Sequence, residues 1–258
     1  MKKIIIIMAV IMLGACATFK TKNFCKNKDY AKNMKLKVDD ELSRKNTYGA
    51  LEDILAVKKC FPKDPEVFYY LGMIYFERAE KDKAIDNLHQ AITLNPQYPE
   101  AHEFLGMILL QDNKPDEALT HFKVAANNDR YRQAYEAWNN MGWIYMQQGK
   151  LADAETALKR SLALNPNFCF AHSNLGELRA KQKDYDTAIA EYQKAIQACP
   201  ALARVHRLLG LEYNRQGKVT EACAEFDLAI KNSTADSDDA KSANGYYQVL
   251  NCASKLGQ

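Results

Sequence analysis

Five glycines, Gly72, Gly106, Gly142, Gly176 and Gly210, each follow a leucine or methionine, and the spacings between them are 34, 36, 34 and 34 residues. Twelve positions after each stands an alanine (Ala84, Ala118, Ala154, Ala188, Ala222). Four further on comes a large side chain (Leu88, Phe122, Leu158, Tyr192, Phe226), and three beyond that a small one (Ala91, Ala125, Ser161, Ala195, Ala229). Pro96, Pro166 and Pro200 close three of the units. A period of this length, held in phase five times, requires units that cannot bury their apolar faces alone and must stack on their neighbours. Within each unit the apolar residues recur at i, i+3, i+4 and i+7, which makes two amphipathic helices, with glycine and alanine where the two cross closely. Gly149 and Gly217 fall at one phase between the two helices and suit a left-handed helix end, while Asn95-Pro96 and Asn165-Pro166 stop the second helix.

This pattern resembles the tetratricopeptide repeat, bulky-x2-Leu-Gly-x2-Tyr followed by Ala-x3-Phe-x2-Ala and Pro. The resemblance implies an all-α fold, a right-handed superhelix of antiparallel helix pairs, here called A and B within each unit. Complete units are expected at 65–98, 99–134, 135–168, 169–202 and 203–236. A degenerate unit at 31–64 keeps Ala50, Ile54, Val57 and Pro62 at the helix-B phase but carries Lys37-Val38 where Leu-Gly would stand, so the repeat region runs from 31 to 236. A capping helix is expected within 237–258, reaching roughly Lys255, with Ala243 and Tyr247 turned toward the preceding unit.

The first fifteen residues have another character. Lys2 and Lys3 precede an apolar run from Ile4 to Leu13, too short to span a bilayer, and then Leu-Gly-Ala-Cys. This is the layout of a secretory signal peptide, residues 1–15. It also resembles the bacterial lipobox, which implies that Cys16 becomes the lipid-bearing first residue of the exported chain. Ala17 in place of aspartate implies retention at the outer membrane, facing the periplasm, with acyl burial contributing about 0.8 kcal/mol per methylene. Residues 16–30 form a tether in a segment where Lys20, Lys22, Lys26, Lys28, Lys32, Lys35 and Lys37 face one acid, Asp29. That charge suits either an anionic bilayer surface or plain solvation. The formal net charge of +3 falls by two when Lys2 and Lys3 leave, so overall charge argues against nucleic acid.

Six of the seven cysteines remain beyond Cys16, an even number in an exported chain, which points to disulfides. In antiparallel helix pairs the start of A lies beside the end of B. The repeat register therefore pairs Cys169 with Cys199, Cys25 with Cys60, and Cys223 with Cys252 on the capping helix. Each is worth on the order of 3 kcal/mol by loop restriction.

No catalytic constellation accompanies this frame. Phosphate-loop, nucleophile-elbow and dinucleotide motifs are absent from the sequence. His102, His172 and His206 occupy one repeat position, where Phe68 and Trp138 stand in other units, and read as packing residues. Cys169, His172, Cys199 and His206 fit no common zinc spacing. Neither a small-molecule substrate nor a cofactor beyond the lipid on Cys16 is expected, and the chain reads as a binding protein, not an enzyme.

The helix-A stretch Phe68 to Glu77 has more large side chains than one seam can take. Phe68, Leu71 and Tyr75 surround Gly72, which leaves Tyr69, Met73 and Phe76 at i, i+4, i+7 on a second face. In tetratricopeptide domains this face lines the groove that receives partner peptides. The same positions give Met107 and Leu110 beside Glu103 in the next unit, then Asn139, Trp143 and Met146. In the last two units they give Ser173, Glu177 and Ala180, then Arg207, Leu211 and Asn214, so the groove changes character along its length. Methionines and aromatics make an adaptable apolar groove suited to an amphipathic segment.

Lipobox, tether and repeats together resemble the type IV pilus biogenesis/stability lipoproteins, the PilF/PilW/Tgl family of pilotins. Ala125, Tyr131, Ala137, Asn140 and Gly142 carry that resemblance where the long second unit runs into the third, whereas Asp129-Arg130 and the six extra cysteines depart from it. It implies an outer-membrane lipoprotein that binds secretin subunits and promotes their assembly. A generic scaffold of another envelope complex, such as an adaptor for peptidoglycan hydrolases, shares the same features.

Overall fold

The computed structural model describes Cys25 and residues 29–257. The leader, Cys16 and four of the tether lysines, Lys20, Lys22, Lys26 and Lys28, lie outside the described residues. The all-α tetratricopeptide fold expected from the period is the fold observed. Helices pair as α1 (Tyr30–Ser43) with α2 (Thr47–Cys60), α3 (Pro65–Glu77) with α4 (Lys81–Leu94), and α5 (Pro99–Gln111) followed by α6 (Pro115–Ala126). Next come α7 (Ala134–Gln147) with α8 (Leu151–Leu164), α9 (Cys169–Lys181) with α10 (Tyr185–Ala198), and α11 (Ala203–Arg215) with α12 (Val219–Lys231). The described chain closes with α13 (Asp238–Val249) and the single turn α14 (Cys252–Lys255). The chain divides into two compact units, residues 1–125 and 126–258, and each is described by itself. Among the described residues there is no strand, and no helix is long and apolar enough to cross a membrane.

One contact repeats through both units. The helix-A glycine seats the large residue of helix B: a Cβ on Gly176 would stand 2.6 Å from the Tyr192 ring, and one on Gly142 would stand 2.7 Å from Leu158 Cγ. Leu88, Phe122, Leu158, Tyr192 and Phe226 are all essentially fully buried, so the pattern read from spacing is the core itself. Local signals start and stop the helices. Asp64 accepts a hydrogen bond from the Glu66 backbone N–H, with Pro65 in the first turn. Asn95 and Asn165 accept from the backbone N–H groups of Gln97 and Asn167, folding the Asn-Pro turns.

The left-handed helix end expected at Gly149 and Gly217 occurs there, with φ of 73° and 74°. It also occurs at Lys45, Ala79, Asn113 and Lys183, the same phase of every other pair, with φ between 56° and 65°. The degenerate first pair thus turns like the rest, although Val38 is the sole buried residue of α1.

Two expectations change. The capping helix is not continuous to Lys255: Asn251 takes a left-handed conformation, φ 53°, which ends α13 and swings Cys252 down onto Cys223 of α12. Ala243 of α13 is fully buried with Phe226 and Ala229, and Tyr247 packs beside them. Two lysines of the basic segment, expected either at a bilayer surface or simply solvated, are ion-paired within the fold. Lys35 pairs with Asp64 at 2.7 Å and with Glu66, and Lys37 pairs with Asp53 at 2.9 Å, so the degenerate helix is fixed by ion pairs where it lacks Leu-Gly.

Candidate protein-docking site

The eight residues expected to line a groove divide sharply. On α3, Tyr69, Met73 and Phe76 share a face, and α5 lies against it through Phe104. The Phe104 ring meets Phe76 edge-on at 5.3 Å between centroids and Tyr69 at 6.4 Å, while Tyr98 meets the other side of Tyr69 at 5.5 Å. Tyr69 and Phe76 are therefore half-buried, one part of each ring holding the α3–α5 contact. Burial, with Glu100 and Glu103 nearby, raises the Tyr69 phenol well above its ordinary 10, which keeps it a neutral donor. Met73 and Leu110 are half-buried on the same two helices, and Met107 is exposed, at 37%. The first compact unit thus presents two methionines and a leucine rimmed by aromatic edges.

In the second unit the expected groove residues belong to the interior. Met146 is 3% exposed, enclosed by Ala154, Leu158, Leu175 and Leu178, with Trp143 packed half-buried against them. Asn139 is buried and accepts a hydrogen bond from Asn174 Nδ2 at 2.8 Å. The ladder continues from α9 to α11, where Arg204 reaches Asn174 at 3.4 Å and pairs with Glu177. Met146 and Asn139 are corrected from groove to core, because α9 brings leucines and an amide exactly where an open face was expected. Phe104 was the missed residue on the other unit. Its signal was an aromatic at a position held by asparagine in two later repeats, Asn140 and Asn174.

The cysteines come together as Cys25–Cys60, Cys169–Cys199 and Cys223–Cys252, with Sγ–Sγ distances of 1.93, 2.07 and 2.00 Å. Their sulfurs bind each other, and the adjacent histidines are also engaged. His172 sends Nε2–H to the Pro166 carbonyl at 2.9 Å and Nδ1–H to Glu191 at 2.6 Å. His206 repeats the arrangement with Pro200 at 2.8 Å and Glu225 at 2.6 Å. Both ring nitrogens face acceptors, an arrangement that favours the charged imidazolium over the neutral ring. The Glu191 hydrogen bond accordingly raises the His172 pKa; at His206 burial opposes, but the hydrogen bonds to Glu225 and Pro200 leave it raised.

The equivalent residue on α5, His102, also donates Nε2–H to a proline carbonyl, Pro96, but its Nδ1 meets His121 Nδ1 at 2.9 Å. Two facing ring nitrogens need one proton between them. Burial lowers both pKa values, that of His121 to about 4. Beside His172 a polar cleft of about 600 Å³ opens between Pro166, Asn167, Lys194 and Gln197. Among the described residues no three His, Cys, Asp or Glu side chains group to hold a metal. The histidines serve packing within the fold.

Tetratricopeptide repeat profiles match residues 69–135, 135–168 and 157–190, and a TPR repeat profile matches 178–217, an unbroken run over more than half of the chain. Anaphase-promoting complex subunit 3 of Schizosaccharomyces pombe is 26% identical over 135 residues, which is 52% of this chain and 20% of that protein. The chain spans between a fifth and a third of the length of the first curated relatives it matches. Among solved structures, PilW, a widely conserved type IV pilus biogenesis factor, superposes with a TM-score of 0.71 and 22% identity over 84% of this chain and 100% of PilW. Pseudomonas aeruginosa pilF superposes with a TM-score of 0.74 and 20% identity over 85% and 99%. These likenesses are of fold, and with the repeat profiles they make this chain a member of the tetratricopeptide repeat family, whose members are protein-interaction scaffolds.

Proposed function

We propose that the chain is a pilotin for type IV pilus biogenesis: an outer-membrane lipoprotein, anchored through acyl groups on Cys16 and facing the periplasm, that binds secretin subunits and promotes their assembly. The observation that carries this reading is the extent of the match to PilW and pilF. Essentially the whole of each of those chains superposes on 84–85% of this one, whereas the curated relatives share a fragment. The lipobox supports it from the other end of the chain. In this mechanism the lipid holds the repeats at the membrane, and the face of Met73, Met107 and Leu110, rimmed by Tyr69, Phe76 and Phe104, grips an apolar secretin segment until assembly buries it. Methionine side chains adapt to such a segment without a fixed shape.

A deletion strain tests the reading. Loss of heat-stable secretin multimers, restored by the wild-type chain but not by Cys16→Ala or Met73→Glu/Met107→Glu, is the expected result. Multimers at normal level without the chain would redirect it to the alternative, a scaffold of another envelope complex.

A further inference from the structure

The first described residue, Cys25, is bonded to Cys60 at the end of α2, with 5.0 Å between the two Cα atoms. Around this staple the first helix pair carries a basic surface. Lys32 lies in the first turn of α1, Lys58 and Lys59 in the last turn of α2, and Lys63 in the turn to α3. Lys32, Lys59 and Lys63 are exposed, and Lys58 leans over the Phe68 ring at 4.6 Å. Among the described residues no acid lies within ion-pair distance of any of these four. Of the acids at this end, Asp64 and Glu66 are both taken up by Lys35, which sets four lysines against one further acid, Asp29. Elsewhere in the first unit Lys37, Lys81 and Lys83 each pair with a carboxylate.

What this surface meets follows from where the chain comes from. Cys16 stands nine residues before Cys25, a segment that spans about 30 Å at full extension. With the acyl groups proposed above on Cys16, the stapled end is the part of the first unit held within that distance of the bilayer. Lys26 and Lys28 follow Cys25 in the sequence and carry the same sign. Attraction between such charges acts within a Debye length, about 8 Å, so the counter-charge within reach is that of the lipid headgroups. We infer that the lysine end of the first helix pair, Lys32, Lys58, Lys59 and Lys63, rests on anionic phospholipid headgroups, and that the first unit stands on the bilayer by this end. The inference rests on the acyl anchor at Cys16. Its consequence is a set height for the open apolar face. Helix A of each pair starts at this end, and Met73 and Met107 lie eight residues along α3 and α5. At about 1.5 Å per residue both stand about 12 Å above the headgroups, and Leu110 about 16 Å above them. An apolar partner segment is then met beside the membrane surface, not within it.

Vesicle flotation of residues 16–258 carrying Cys16→Ser, a chain that holds every described residue, tests the surface without the anchor. Vesicles of phosphatidylethanolamine with about one third phosphatidylglycerol should bind the oxidised chain, and binding should fall steeply between about 50 mM and about 300 mM salt. Vesicles without phosphatidylglycerol should not bind it. Each lysine near an anionic surface strengthens binding roughly fivefold, so Lys32→Glu/Lys59→Glu/Lys63→Glu should weaken it about a hundredfold or more. Helical circular dichroism should be unchanged, because all three side chains are exposed. Lys45→Glu/Lys114→Glu, exposed in turns at the opposite end of their helix pairs, should bind as before. On the lipidated wild-type chain, anionic vesicles should exclude a water-soluble amine reagent from Lys59 and Lys63 while Lys114 still reacts. Binding indifferent to the triple substitution, or to phosphatidylglycerol, overturns the inference. So does a lysine face that holds an acidic protein and no vesicle. Failure of the anchor reading shows separately, as a chain recovered from membranes without acyl mass on Cys16.

Discussion

At the scale of single residues, the turn between the helices of each pair is the most regular point of the chain. Six residues at one phase share the left-handed region, and four of them are not glycine. A side chain there costs about 1–2 kcal/mol, so the exposed Lys183 stores strain that nothing nearby repays. Lys183→Gly should stabilise the second unit by roughly 0.5–1 kcal/mol, read as a higher urea midpoint at unchanged slope. The histidines give a second test. His172 and His206 have pKa values raised above 6.5, so their stabilisation is complete below 6.5 and fades as pH rises through the raised values. His102 and His121 have lowered values, so the unfolded chain takes up protons first, and stability falls as pH drops from 6.5 toward about 4. Acidification from neutrality should therefore weaken the first unit and spare the histidine joints of the second. Both tryptophans, Trp138 and Trp143, lie in the second unit. Urea curves at pH 5 should accordingly show far-UV signal lost before tryptophan fluorescence changes, and His121→Phe should shrink the gap.

At the scale of helices, the glycine seat decides how closely a pair can cross. Tyr192 is fully buried, so its ring has no room to leave when a methyl arrives at 2.6 Å. Gly176→Ala should cost about 1–3 kcal/mol by overpacking, measurable as a lowered thermal midpoint. The broken cap makes a different point. The helix period placed Ala243 and Tyr247 correctly against α12, yet the stop at Asn251 was not visible, because asparagine is only weakly biased toward the left-handed region. What the break achieves is the approach of Cys252 to Cys223 across 29 residues of sequence. Replacing both cysteines by serine should cost on the order of 3 kcal/mol, read as an earlier unfolding transition under oxidising conditions and as none under reducing ones.

At the scale of the whole molecule, the open apolar face is smaller than the sequence pattern implied. It belongs to the first compact unit, on Met73, Met107 and Leu110, since Met146 and Asn139 are interior to the second. Met107→Glu places a charge on an exposed position and should leave the unfolding free energy read from urea curves within about 0.5 kcal/mol of wild type. The same change in Met146, 3% exposed, should unfold the second unit. A pull-down from membranes should lose its partner with Met107→Glu while the variant retains full helical signal.

The repeat phase alone determined the pairing of helices, the residues that meet at each crossing and which cysteines become neighbours. Antiparallel pairs of fixed length leave no other arrangement for residues at those phases. Tertiary structure decided which side chains on the second face of helix A remain open. Helical periodicity sets the direction in which Met73, Met107 and Met146 point, but the side chains of the following repeat decide whether that direction ends in solvent. Phe104 covers only the edges of Tyr69 and Phe76, whereas Leu175 and Leu178 close over Met146. Exposure is a property of two surfaces meeting, and the pattern of one helix describes only its own.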